Sequence, residues 1–149
     1  YASIRSDAAR TLYEVEDLWP GFICNLVVVR GDLVRERAED VQRLVTSSVR
    51  SGVWASSNSA EAASIAAKHW NQDLGLVVDA FETYADRFVW DRYEPLSGEL
   101  QQLADEMVRF GLLESAHIDG LANPTFARNA DLSDLSNLAS VVGFEASNE

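Results

Sequence analysis

Glu14, Glu16, Asp17, Trp19 and Phe22 stand together in a short stretch that feeds the apolar segment from Phe22 to Val29. Carboxylates beside aromatic rings suit ligand capture. The rings supply apolar walls, and the carboxylates accept hydrogen bonds from N–H groups or balance a positive charge. In α/β architectures such groups gather in loops at the ends of strands. The same residues also suit a solvated acidic turn in which Trp19 and Phe22 cover the core, so the cluster alone does not choose between the two.

The remaining reactive side chains are sparse. His69 lies at the end of an expected helix, where a cation complements the helix dipole, and His117 falls in a loop. Cys24 is the single cysteine, so no internal disulfide forms. Its apolar neighbours suit a buried, inert thiol. Cys24, His69 and His117 share no metal-ligand spacing. No Gly-rich phosphate loop, Gly-x-Ser-x-Gly elbow, His-Glu-x-x-His or calcium loop occurs. The expected chemistry is binding without turnover, with no catalytic residue, metal or cofactor.

The elements that must position the acidic, aromatic loop follow from patterning. The chain has 149 residues, 47% hydrophobic and 24% charged, with 8 Gly and 3 Pro, which is a globular composition. A net charge of −12 repels nucleic acid and anionic lipid surfaces and disfavours both as partners. No apolar run is long enough to cross a bilayer as a helix. Residues 1–21 read as a loop. The run from Phe22 to Val29 is dense in β-branched residues and ends at Arg30-Gly31-Asp32, the profile of a strand buried on both faces and closed by a turn.

Helical spacing then dominates. Val41, Leu44, Val45, Ser48, Val49 and Gly52 mark a helix over about 37–55, and Asn58 with Glu61 fits a capping box opening a second over 59–70. Asp73 caps a third, with an apolar stripe of Leu74, Val77, Val78, Phe81, Tyr84, Ala85 and Phe88. Val89 to Leu96 is expected to be extended. Ser97 opens a fourth helix with Leu100, Leu103, Ala104, Met107 and Val108 on one face, and Gly111 stops it. Residues 119–128 suit a segment laid across a surface, and 129–149 read as a loosely held tail. One buried strand cannot satisfy its own edge donors and acceptors, so it requires neighbours that this sequence hardly supplies.

The order of these pieces resembles a known family. Trp19-Pro20-Gly21-Phe22 leads into Asn25-Leu-Val-Val-Val-Arg-Gly-Asp-Leu33 and then Glu39-Asp-Val-Gln-Arg-Leu44. Tyr93-Glu-Pro-Leu-Ser97 precedes Glu99-Leu-Gln-Gln-Leu-Ala-Asp-Glu-Met-Val-Arg-Phe-Gly-Leu-Leu113, and Asn123-Pro-Thr-Phe126 closes the series. Over about residues 10–128 this resembles the later half of ABC-transporter substrate-binding proteins of the nitrate, sulfonate and taurine class. The resemblance implies an α/β chain, part of a two-lobed type 2 periplasmic-binding-protein fold, this half mostly helical with few strands. Residues 1–21 would be the crossover loop, 22–128 the C-terminal portion of the binding fold and 129–149 the tail.

It also implies a small-molecule ligand, an ABC permease and the N-terminal half of the same polypeptide as partners, in the periplasm or anchored by lipid outside the cell. Such proteins are about twice this length, which makes the chain a fragment in this reading. The loop would supply ligand contacts from Glu16, Asp17, Trp19 and Phe22. Its carboxylates favour a ligand with N–H groups or positive charge. The alternatives are a sensing domain of the same fold and a mostly helical interaction domain. A third, a pyrimidine-synthase-like enzyme, lacks its cysteine-rich motif.

Overall fold

The computed structural model describes residues 1–85, 89 and 92–135. Its elements in chain order are α1 (Ala2–Arg5), α2 (Val15–Leu18), α3 (Gly31–Glu36), α4 (Ala38–Ser57), α5 (Ser59–Trp70), α6 (Leu74–Thr83), α7 (Ser97–Arg109) and α8 (Thr125–Arg128). No strand occurs among the described residues.

That overturns the α/β expectation. Residues 23–30 belong to no helix or strand, and among the described residues Ile23 to Val29 make no backbone–backbone hydrogen bond. The β-branched run has the propensity of a strand. A strand, however, is stabilised by a ladder, and no other described segment offers one. The middle of the run consequently faces solvent, with Val27 58% exposed and Val28 82%, while Ile23 and Val29 are half-buried. Cys24 is exposed as well, which corrects its placement as a buried thiol. The Arg30-Gly31-Asp32 turn is the start of α3 instead. Arg30 folds back on Asp32 there, its Nε 3.0 Å from Oδ1.

The four long helices form close to where spacing puts them. Asp73 accepts the Leu76 N–H at 2.9 Å, so one of the otherwise unpaired donors in the first turn of α6 is satisfied. Asp73→Ala is expected to cost about 1 kcal/mol in a urea titration followed by circular dichroism. Gly111 stops α7 by adopting φ +70°, which lets its N–H reach Val108 C=O at 2.9 Å and the Leu112 N–H reach Met107 C=O at 2.8 Å. Asn71 ends α5 in the same way at φ 51°, with the Gln72 N–H bonded to Ala67 C=O at 2.9 Å.

Asn58 departs from expectation. Its side chain makes no capping bond to α5 but donates from Nδ2 to Trp54 C=O at 2.8 Å, closing α4. The helical part of the third stripe ends at Thr83. The Phe88 end of that stripe, residues 90 and 91 of the extended segment and residues 136–149 of the tail lie outside the described residues.

Packing is concentrated between α5 and α6, where Ala63, Ala67 and Val77 are buried together and Ala66, Val78 and Phe81 close around them. α8 rests on α4: Gln42 Nε2 donates to Phe126 C=O at 2.8 Å, and Ala127 is buried. Arg50 on α4 pins the chain beyond α8, donating to Asp131 C=O at 2.8 Å and Asp134 Oδ1 at 2.6 Å. The buried apolar residues of the described chain are alanine, valine and one leucine, while Trp70, Phe110, Leu112 and Leu121 remain exposed. A chain with so few large side chains inside holds its helices by small local contacts and leaves much apolar surface uncovered.

Candidate functional site

Trp19-Pro20-Gly21-Phe22 forms a tight turn. The Phe22 N–H bonds to Trp19 C=O at 3.1 Å, Pro20 occupies the second position and Gly21 the third, at φ +79°. That arrangement of proline, left-handed glycine and closing bond is the signature of a type II turn, and a side chain at Gly21 would be strained. The turn brings the flanking rings together: the Trp19 and Phe22 centroids are 5.5 Å apart with planes tilted by 59°. Both rings are half-buried, so each keeps a face open for contact.

Glu16 and Asp17 sit in the first turn of α2, where negative charge complements the helix N-terminus, and both are exposed. The structure therefore pairs Trp19 with Phe22 and leaves the Glu16 and Asp17 side chains on solvent.

An open hollow lies elsewhere. About 300 Å³ of space is lined by Tyr1, Trp70, Gln72, Leu76, Val77 and Phe81, almost wholly apolar. Tyr1 closes one side by stacking edge-on against Tyr84, centroids 5.7 Å apart at 87°, with its hydroxyl 3.3 Å from Thr83 Oγ1. The sequence reading missed it. Trp70 at the exposed end of α5 was the available signal, but the first residues of the chain had to be known to pack there.

The perturbed carboxyl groups lie away from the aromatic loop. The hydrogen bond from Arg37, with the charges of Arg37 and Arg43, holds the Asp40 carboxyl below its ordinary value. Asp131 is held low chiefly by the Ser133 hydroxyl, then by the Ser133 N–H and the charge of Arg50. Both tie helix ends and turns in place, since Asp40 lies in the first turn of α4 and Asp131 beside the residues that Arg50 grips. His117 Nδ1 is 3.8 Å from Asp119 Oδ2 in an exposed loop, and His69 lies in the last turn of α5. Among the described residues no group of three or more His, Cys, Asp or Glu is placed to hold a metal ion, and no helix is long and apolar enough to cross a membrane.

The class these observations define is a helical chain, among its described residues, with a largely exposed segment, residues 23–30, that joins no helix or strand. Comparison with known proteins found no matching family model, no matching curated protein and no matching solved structure.

Proposed function

We propose that the chain acts within the solute-binding component of an ABC importer, capturing a small polar molecule for delivery to a permease. The observation that carries this reading is the uncharged segment after the Trp19–Phe22 turn, which joins no helix or strand. Among the described residues its backbone from Ile23 to Val29 is unpaired, and Leu26, Val27 and Val28 are exposed, as expected of chain built to be covered. The covering chain is proposed to be a further portion of the same polypeptide preceding Tyr1, acting outside the membrane, in the periplasm or anchored by lipid. Trp19 and Phe22 then form the aromatic wall of the ligand site, with Glu16 and Asp17 at its rim. Exposed carboxylates at a rim favour amine-bearing or N–H-rich ligands, which ranks taurine and pyrimidine-like compounds above nitrate and simple sulfonates.

Calorimetric titration of the protein as its gene encodes it, against taurine, an alkanesulfonate, nitrate and an aminopyrimidine, tests the reading. One of these classes is expected to bind and to be recovered unaltered, and Trp19→Ala to weaken that binding about tenfold or more. Absence of binding to all four overturns the importer reading. Binding with unchanged affinity in the Trp19→Ala protein removes the loop from the site.

A second reading, a helical protein-interaction domain, is favoured by the helical described chain and by the exposed Phe110, Leu112 and Leu113 after α7. Loss of a protein partner in a Phe110→Ser variant, with no small-molecule binding by the parent, would select it.

A further inference from the structure

We infer that Asp119–Gly120 is a site of spontaneous backbone isomerisation, at which the aspartate converts to isoaspartate. Asp-Gly occurs once in the sequence. It occupies the centre of a turn closed by the Leu121 N–H on Ile118 C=O at 2.9 Å, and the Gly120 N–H makes no backbone hydrogen bond. The Asp119 side chain is 89% exposed, and the 3.8 Å to His117 Nδ1 is too long for a hydrogen bond that would hold it. Gly120 has φ +74°, and even an added Cβ there would meet nothing within 4 Å. Nothing packs against the two residues to stop the carboxyl carbon from reaching the glycine nitrogen.

The chemistry needs no partner but water. The Gly120 nitrogen attacks Asp119 Cγ, forming a C–N bond. The carboxyl hydroxyl departs with the amide proton as water, and a five-membered succinimide results. Water then adds to either ring carbonyl. Addition at the Asp119 main-chain carbonyl breaks its bond to the Gly120 nitrogen, leaving the chain running through Cγ with a free α-carboxylate. One water is lost and one regained, so the mass is unchanged. The product places an extra backbone carbon in the connection from α7 to α8.

Asn58–Ser59 is the internal control. An asparagine before serine is also prone to ring closure, but Asn58 is half-buried, its Nδ2 is engaged by Trp54 C=O at 2.8 Å, and Ser59 begins α5. Reaction there would convert an amide to an acid and change the mass.

The test is prolonged incubation of the intact native protein at neutral pH, then tryptic digestion and chromatography with mass detection. A urea-unfolded sample is run in parallel. The peptide spanning residues 110–128 is expected to divide into two species of equal mass, the new one labelled by an isoaspartyl methyltransferase. The native rate is expected to lie within about threefold of the unfolded rate, as for a segment with no protective structure. Asp119→Glu, which keeps the charge but would close a six-membered ring, should leave a single species. Gly120→Ala should slow conversion about tenfold, because a side chain crowds the attacking nitrogen and restricts its backbone. A single 110–128 species from the native protein, with two from the unfolded one, would overturn the proposal. So would a mass gain at Asn58 with Asp119 intact.

Discussion

Ala63→Leu is expected to lower the free energy of unfolding by about 1–3 kcal/mol, the cost of forcing extra methylenes into a packed interior. Ala63 is 1% exposed and lies with Ala67 and Val77 in the cluster that joins α5 to α6, bounded by Ala66, Val78 and Phe81. Three alanines on one face of α5 let α6 approach closely. A leucine at the centre of that face must separate the helices or leave its preferred rotamer. Ile65 lies on the same helix but is exposed, so Ile65→Ala should change stability by no more than about 0.5 kcal/mol. Urea titration by circular dichroism distinguishes the two, and a lower midpoint with unchanged slope would show that stability alone has moved. Equal, small effects at both positions would mean that α5 and α6 are not held by this contact.

What the sequence disclosed was local. The second helix begins and ends at Ser59 and Trp70, the bounds expected of it, and the first long one is displaced by only a residue or two, because helix signals act within a few residues of themselves. Asp73 and Gly111 worked for the same reason. The segment from Phe22 to Val29 failed because strand formation is settled by partners distant in sequence, and propensity at Val27 to Val29 cannot supply them. Asn58 failed more narrowly: it stands between two helices, and its amide had two backbone ends to serve. At the candidate site, the Trp19–Phe22 approach follows from Pro-Gly between two aromatics. The position of Glu16 and Asp17 on a helical turn depended on α2 forming in a stretch that reads as loop.

Two substitutions in the segment of residues 23–30 should behave oppositely in the chain of residues 1–149 and in the longer polypeptide proposed to cover it. In the chain alone, Val28→Asp places a charge where the side chain is already 82% exposed, and Leu26→Pro removes an N–H that bonds to no other backbone group. Asn25 belongs to no helix, the conformation that a following proline disfavours. Each change should alter stability by no more than about 0.5 kcal/mol. If the segment is covered in the longer protein, Leu26→Pro removes an N–H that has gained a partner there and Val28→Asp buries an unpaired carboxylate. A buried charge left uncompensated costs about 3–5 kcal/mol, enough to unfold many domains. Thermal denaturation of both lengths, each with both variants, measures the contrast. Matching small effects at the two lengths would show that the valines stay on the surface throughout, and the case for chain built to be covered would fail with them.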